Sequence, residues 1–384
     1  MTRDGAHRPA VWFTTARAHR FDYRDSLLGR FEKMLGAFPL GESVAEEEVV
    51  PVKIHFGSRG AIQTIRPPFV ALMVAALKSL GAHPFVTDSV RMLGHEYLEI
   101  ANRAGYNQSA LGAPVLLADG IFGNDSIEVD AGEPVGTQCI ASAIHDAPSM
   151  VVMSHVKGHI QAGFGGAIKH LAMGGVCSHP RCGGWEKGRG RAHFTLGTIP
   201  NWKGAPPCTL CGTCERHCPM AAITIARRAW SVSDDCWRCG RCISACPAQA
   251  LHTPKDDGLF QRALAAQAAA VMRTFGPGKV VFANFLLEMQ PECDCMDICD
   301  VPMVQNVGVL MGKDPVAVDA ASLALVAKAP LLKGSRADAL GAYEGRDPFG
   351  AVHLKSSWGQ VERAAELGLG SLEYELLEFP FAAR

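Results

Sequence analysis

Two runs of cysteine carry the strongest chemical signal in the sequence. Cys208, Cys211, Cys214 and Cys218 are separated by two, two and three residues, and Pro219 follows. Cys236, Cys239, Cys242 and Cys246 repeat that spacing, and Pro247 follows. Three thiolates on one tight loop can cap three irons of a cube, while the fourth iron needs a cysteine from elsewhere. The spacing predicts two [4Fe–4S] clusters, and with them one-electron transfer at low potential and sensitivity to oxygen. Paired CxxC motifs also hold zinc, but two complete four-cysteine copies, each closed by proline, favour iron.

Over about 50 residues this segment resembles two-cluster bacterial ferredoxins, in which the fourth cysteine of each run ligates the other cluster. The resemblance implies Cys208, Cys211, Cys214 and Cys246 on one cluster, and Cys236, Cys239, Cys242 and Cys218 on the other. The segments AAITI and AQALH after the two motifs are the matching short strands of a pseudo-twofold module.

The flanking sequence has a different texture. VVPVKIHF (Val49–Phe56) is a β-branched run, Pro67 opens an apolar helical pattern that stops at Gly81, and PFVTD (Pro84–Asp88) is a second strand. That order is a βαβ unit and argues for a parallel sheet. Pro114–Asp119 and Ser149–Val156 are further strand candidates. After the cysteines come a helix over Phe260–Phe275, a strand in KVVFANFL, and a strand, loop and helix from Gln305 to Lys328, the helix starting at Pro315. A terminal helix follows near ERAAELGLG. The expected fold is α/β, a mainly parallel sheet flanked by helices, with an inserted small α+β two-cluster domain. The divisions are 1–197, 198–255 and 256–384.

Polar residues gather where strands end. Lys53 and His55 lie two apart, on one side of a strand. His155, Lys157 and His159 alternate just past a buried run. In GFGGAIKH, Gly163, Gly165 and Gly166 let backbone approach a ligand, and Lys169 and His170 line the helix that follows. Ligands of open parallel sheets bind outside the carboxyl ends of the strands. Lys53, His55, Lys157, His159 and Lys169 are therefore the candidate anion-holding and proton-donating set, competing with a reading as solvated loop residues. Asp88 could face the same crevice. Asp314 before Pro315 reads as a helix N-cap, and Asp319 has no assigned role.

Composition excludes several classes. Lys+Arg 37 against Asp+Glu 38 gives a formal charge of −1, without the basic excess of a nucleic-acid binder. No apolar run approaches the ~20 residues of a membrane span, and MTRDGAHRPAVWFTT lacks the apolar core of a signal peptide. A cytoplasmic location is expected, with the 14 cysteines reduced or metal-bound. GFGGAI and GVLMGKD both miss the spacing of nucleotide-binding loops, so no NAD, FAD or ATP site is expected.

Outside the cysteine-rich segment the chain resembles an iron–sulfur family labelled domain of unknown function 362. The resemblance rests on KIHFGSRG, PFVTDS, HVKGHIQAGFGGAIKHLAMGG, ECDC and VGVLMGKDPVAVDAASL, in that order over most of residues 10–330. It implies a redox role with no agreed substrate. The ECDC run singles out Cys295 as a candidate catalytic thiol. Cys293, Cys295 and Cys299 are alternatively a third metal site or small buried hydrophobes, and Cys177 with Cys182 forms a looser pair. The expected function is an oxidoreductase passing low-potential electrons through the clusters from an external donor protein to a small-molecule substrate. The alternatives are an electron-transfer module docking to a partner enzyme, and a non-redox α/β enzyme with a structural or sensing cluster domain.

Overall fold

The computed structural model describes residues 8–91, 94–177, 258–342 and 344–380, and between them 201–202, 208–218, 221–226, 229–233, 242 and 245–252. An eight-stranded sheet forms the centre. Its strands in chain order are β1 (Ala10–Thr15), β2 (Val49–Lys53), β3 (His83–Asp88), β4 (Val115–Leu117), β5 (Met150–His155), β6 (Val280–Leu286), β7 (Gly308–Gly312) and β8 (Glu375–Glu378). The spatial order is β8-β1-β7-β6-β5-β2-β3-β4. Pairing is parallel except where β7 meets β6 and β1. The α/β class and the mainly parallel sheet are thus as the sequence reads.

Helices cover both faces. On one lie α1 (Leu27–Ala37), α2 (Pro67–Ser79) and α3 (Gly94–Arg103), and on the other α4 (Ala167–Gly175), α5 (Leu259–Met272) and α6 (Pro315–Lys328). The helix α2 buries Phe69, Val70, Met73, Val74 and Leu77, one stripe at helical spacing. With both faces covered, β6 is buried at every position of VVFANFL and apolar at all of them except Asn284. Asp314 caps α6, accepting from Ala317 N at 2.8 Å, with Pro315 at the first helical position.

Two strands of the central sheet are not legible in the sequence. The edge pairing of β1 with β8 joins residues 10–13 to 375–378, and neither run announces itself without its distant partner. The strand expected over Val49–Phe56 stops at Lys53; the chain beyond it leaves the ladder and carries His55 over the end of β3.

The cysteine-rich segment enters after α4 and returns at α5, two helices in one core. Its described parts form two short antiparallel pairs, Asn201–Trp202 with Leu251–His252 and Ile223–Ala226 with Ala229–Val232.

Candidate functional site

The carboxyl ends of β2, β3 and β5 converge on a buried polar cluster. Lys53, the last residue of β2, places Nζ 3.2 Å from Asp88 Oδ1. His55 puts Nδ1 2.8 Å from Asp88 Oδ2. One carboxylate from the end of β3 therefore holds both residues of the Lys-x-His pair. Tyr97 of α3 also donates its hydroxyl to Asp88 Oδ2. With the His55 Nδ1 proton donated to the carboxylate, Nε2 is the free base of the neutral ring, and it is buried with no hydrogen-bond partner among the described residues. Burial holds the His55 pKa below its ordinary value, against the pull of Asp88.

Asp294 is the second anion. It lies between Cys293 and Cys295 and is 1% exposed. His155 Nδ1 stands 3.0 Å from both of its oxygens and Lys157 Nζ 2.9 Å from Oδ2. Burial alone would raise this carboxyl, but His155 and Lys157 outweigh it and hold the pKa below the usual range. The other ring nitrogen of His155 meets Leu287 O at 2.8 Å, so both its nitrogens face oxygen acceptors.

The third pair joins Lys169, in the first turn of α4, to Cys293, with Nζ to Sγ at 3.2 Å. The Cys295 thiol donates to Cys293 and, with Lys169 and Lys157, holds the Cys293 pKa well below that of an ordinary thiol despite burial. The same hydrogen bond, together with burial, pushes Cys295 well above it. Burial opposes the charge of Lys169, yet the two cysteines keep its pKa raised. The ionising thiol of the pair is thus Cys293, the neighbour of the candidate Cys295.

Each lysine already has its own anion: Lys53 has Asp88, Lys157 has Asp294 and Lys169 has Cys293. An anion-holding set in the simple sense expected from sequence would need one of these pairs to open. Proton donation is better placed. Lys53 Nζ lies 3.4 Å from His170 Nδ1, so the neutral His170 carries its proton on Nε2. That atom is buried with no hydrogen-bond partner among the described residues. Burial and the nearby lysines hold His170 neutral, its pKa well below that of an ordinary imidazole. The His55 and His170 rings meet edge to face, with centroids 6.3 Å apart. The cluster thus offers a base nitrogen and an N–H donor on neighbouring rings.

The remaining candidates fall differently. His159 accepts from Ala162 N at 3.0 Å and stacks on Phe260 with centroids 5.9 Å apart. Its Nδ1 is spent on the turn between two short antiparallel strands, Lys157–His159 and Gly163–Gly165. A Cβ on Gly165 would stand 3.6 Å from Lys169 Cδ and 3.7 Å from Lys157 Cε, so this glycine borders the lysine stems. Gly163 takes a φ of +76° in the turn. At Gly166 a Cβ would collide with Asp319, whose carboxylate accepts from Ala167 N at 2.7 Å and Ile168 N at 2.9 Å. Gly166 is therefore a glycine for the sake of a helix cap. Asp319, Asp294 and His170 are the residues the sequence reading left without a role; only their distant partners reveal one.

In the cysteine-rich segment, Cys208, Cys211, Cys214 and Cys246 line one small pocket together with Ile225, Trp230 and Leu251. Three come from the first motif and one from the second. Cys218 and Cys242 pack beside them. The same turn recurs in both motifs: Ala222 N donates to Cys218 Sγ and Ala250 N to Cys246 Sγ, each at 3.3 Å. Leu210 N donates to Cys208 Sγ at 3.2 Å. Thiols ringed by backbone donors suit the negative charge of cluster thiolates, so this donor set fits the group that the motif implies. Cys182, Cys236 and Cys239 lie outside the described residues. Cys177 is disulfide-bonded, contrary to the expectation of reduced thiols. Among the described residues no three His, Cys, Asp or Glu side chains converge on a point for a single metal ion. No helix among the described residues is long and apolar enough to cross a membrane.

A family model described as Domain of unknown function (DUF362) matches residues 50–324. No curated protein matches the chain. Among solved structures, the lactate racemase apoprotein from Thermoanaerobacterium thermosaccharolyticum is 11% identical with a TM-score of 0.30, covering 67% of this chain and 49% of that one. A crystal structure of a protein from Thermotoga maritima is 9% identical with a TM-score of 0.39, covering 77% and 57%. The chain thus spans about half the length of these structures.

Proposed function

The chain belongs to the family described as Domain of unknown function (DUF362), whose description names no reaction, and from the residues themselves we propose an iron–sulfur oxidoreductase. The cysteine-rich segment is a two-cluster ferredoxin-like insertion. Cys208, Cys211, Cys214 and Cys246 hold one [4Fe–4S] cluster, and Cys236, Cys239, Cys242 and Cys218 hold the other. The observation that carries this reading is the cavity lined by three cysteines of one motif and the last of the other, the crossed arrangement of two-cluster ferredoxins. When bound, the clusters supply single electrons at low potential, drawn from an external donor protein.

The α/β cluster supplies the rest of the chemistry. Asp88 orients His55 so that Nε2 can take or return a proton, and Tyr97 steadies the same carboxylate. His170 offers its Nε2–H to a carbonyl or oxyanion, with Lys53 fixing its tautomer. A small molecule with a reducible polar group is the substrate class such a site suits, because reduction needs a proton for each electron delivered. An electron carrier that only docks to a partner would leave this oriented base without a task.

Anaerobic purification followed by iron and sulfide analysis, with EPR of the reduced protein, tests the reading. About eight irons per chain and two coupled cluster signals are expected. Stoichiometric zinc with little iron would overturn it.

A further inference from the structure

We propose that Cys293 and Cys295 are a redox-active dithiol that closes to a disulfide inside the site and stores an electron pair beside Lys169. This deepens the reading above, because it names where two single electrons are held as a pair. It nevertheless stands or falls by a separate measurement.

The geometry is specific to this pair. The two cysteines are separated by one residue, and the short loop folds back so that Cys295 N points at Cys293 Sγ at 3.5 Å. The loop around them is held by five side chains. Asp294, the residue between them, is held by His155, by Lys157 and by Gln290 Nε2 at 3.1 Å. The Cys295 carbonyl accepts from Arg91. The Met296 carbonyl accepts from Ser58 Oγ at 2.6 Å. A dithiol clamped this way brings its sulfurs together without paying much further ordering entropy. Lys169, 3.2 Å from Cys293 Sγ, stabilises the thiolate that attacks in exchange. Cys299 is the neighbouring thiol, but it is engaged elsewhere, accepting from Ile62 N at 3.0 Å.

The step balances. The thiolate of Cys293 and the thiol of Cys295 form one S–S bond, giving up two electrons and the Cys295 proton. An oxidised cyclic dithiol in the buffer takes the two electrons with two protons, the second from solvent, and opens to its reduced form. Two electrons are also what a pair of one-electron clusters exchanges.

The test uses the full chain, purified anaerobically and equilibrated against graded ratios of reduced and oxidised dithiothreitol. The samples are quenched in acid, labelled with N-ethylmaleimide, digested and weighed by mass spectrometry. The peptide carrying Cys293, Cys295 and Cys299 is expected to lose two labels together as the ratio turns oxidising, with the remaining label on Cys299. Cys299→Ser should leave that transition in place. Lys169→Met should move its midpoint toward the disulfide by about tenfold, since the reduced state loses the cation that stabilises it. Full labelling of Cys293 and Cys295 at every ratio, a disulfide that recruits Cys299, or a midpoint indifferent to Lys169 would each overturn the proposal. Iron and sulfide are measured on the same samples. A disulfide without iron sinks the cluster reading and leaves the dithiol standing; iron without a disulfide does the reverse.

Discussion

Lys53 occupies the space that a side chain at Gly174 would need. A Cβ built on Gly174, in the last turn of α4, falls on Cε and Nζ of Lys53. The lysine that closes β2 thus reaches Asp88 only by crossing a helix at a residue with no side chain.

Gly174→Ala should therefore push the Lys53 ammonium off Asp88 while the fold survives, because the clashing atoms are the end of a flexible chain. A loss of roughly 1–3 kcal/mol in urea unfolding is expected, as for overpacked cores. Gly36→Ala is the control. Gly36 lies in α1 with nothing within 4 Å of its Cβ position, so that change should stabilise by about 0.5–1 kcal/mol. Equal effects from the two substitutions would sink the account.

Asp294→Asn should be among the costliest single substitutions in the chain. It leaves His155 and Lys157 facing a neutral amide in a buried site, a loss of about 3–5 kcal/mol. Adding Lys157→Met should recover part of it, and a double-mutant cycle by chemical denaturation measures the coupling. Because pairing holds the Asp294 pKa below its unfolded value, its contribution is present above the ordinary carboxylate range and is lost as pH falls through the folded pKa.

Asp319 has the opposite sign. Burial raises its pKa to about 6, outweighing the N–H groups of Ile168 and Ala167 and the amide of Asn284. In the folded state it binds a proton that the unfolded chain has released, so it stabilises most below its unfolded pKa of about 3.8 and loses that contribution as pH rises to about 6. The difference is on the order of 3 kcal/mol. Between pH 4 and pH 7 the wild type should lose stability relative to Asp319→Asn by about that amount, measured by chemical denaturation of both. A constant difference across this range would contradict the assignment.

Cys246→Ser should alter the same EPR signal as Cys211→Ser, although Cys246 belongs to the other motif. If Cys246→Ser instead reproduces the spectrum of Cys242→Ser, each motif holds its own cluster and the crossed arrangement is wrong.

What the sequence made legible were features that are local or periodic. The helix start at Pro67 and the cap at Asp314 follow from one or two residues each. Strand alternation pairs Lys53 with His55, and one carboxylate receives both, although the strand ends at Lys53 and His55 arrives from the loop beyond it. What stayed hidden depends on partners far along the chain. Lys169 is 124 positions from Cys293, and its contact with that sulfur is part of what makes Cys293 the ionising thiol of the pair. Asp294 was overlooked because two cysteines flank it; its weight comes from His155, 139 positions away. His159 looked equivalent to Lys157 by alternation, yet a tight turn spends its ring nitrogen on backbone.

The matching of three lysines with three anions bears on how a substrate arrives. A site whose charges cancel in pairs a few ångströms apart casts little field beyond its own walls, so it draws nothing in from solution. Capture then proceeds at the unassisted diffusional pace, and association rates should change little with ionic strength. Any anionic ligand that binds one of these lysines must trade places with Asp88, Asp294 or Cys293, so selectivity rests on how well it replaces the anion it evicts.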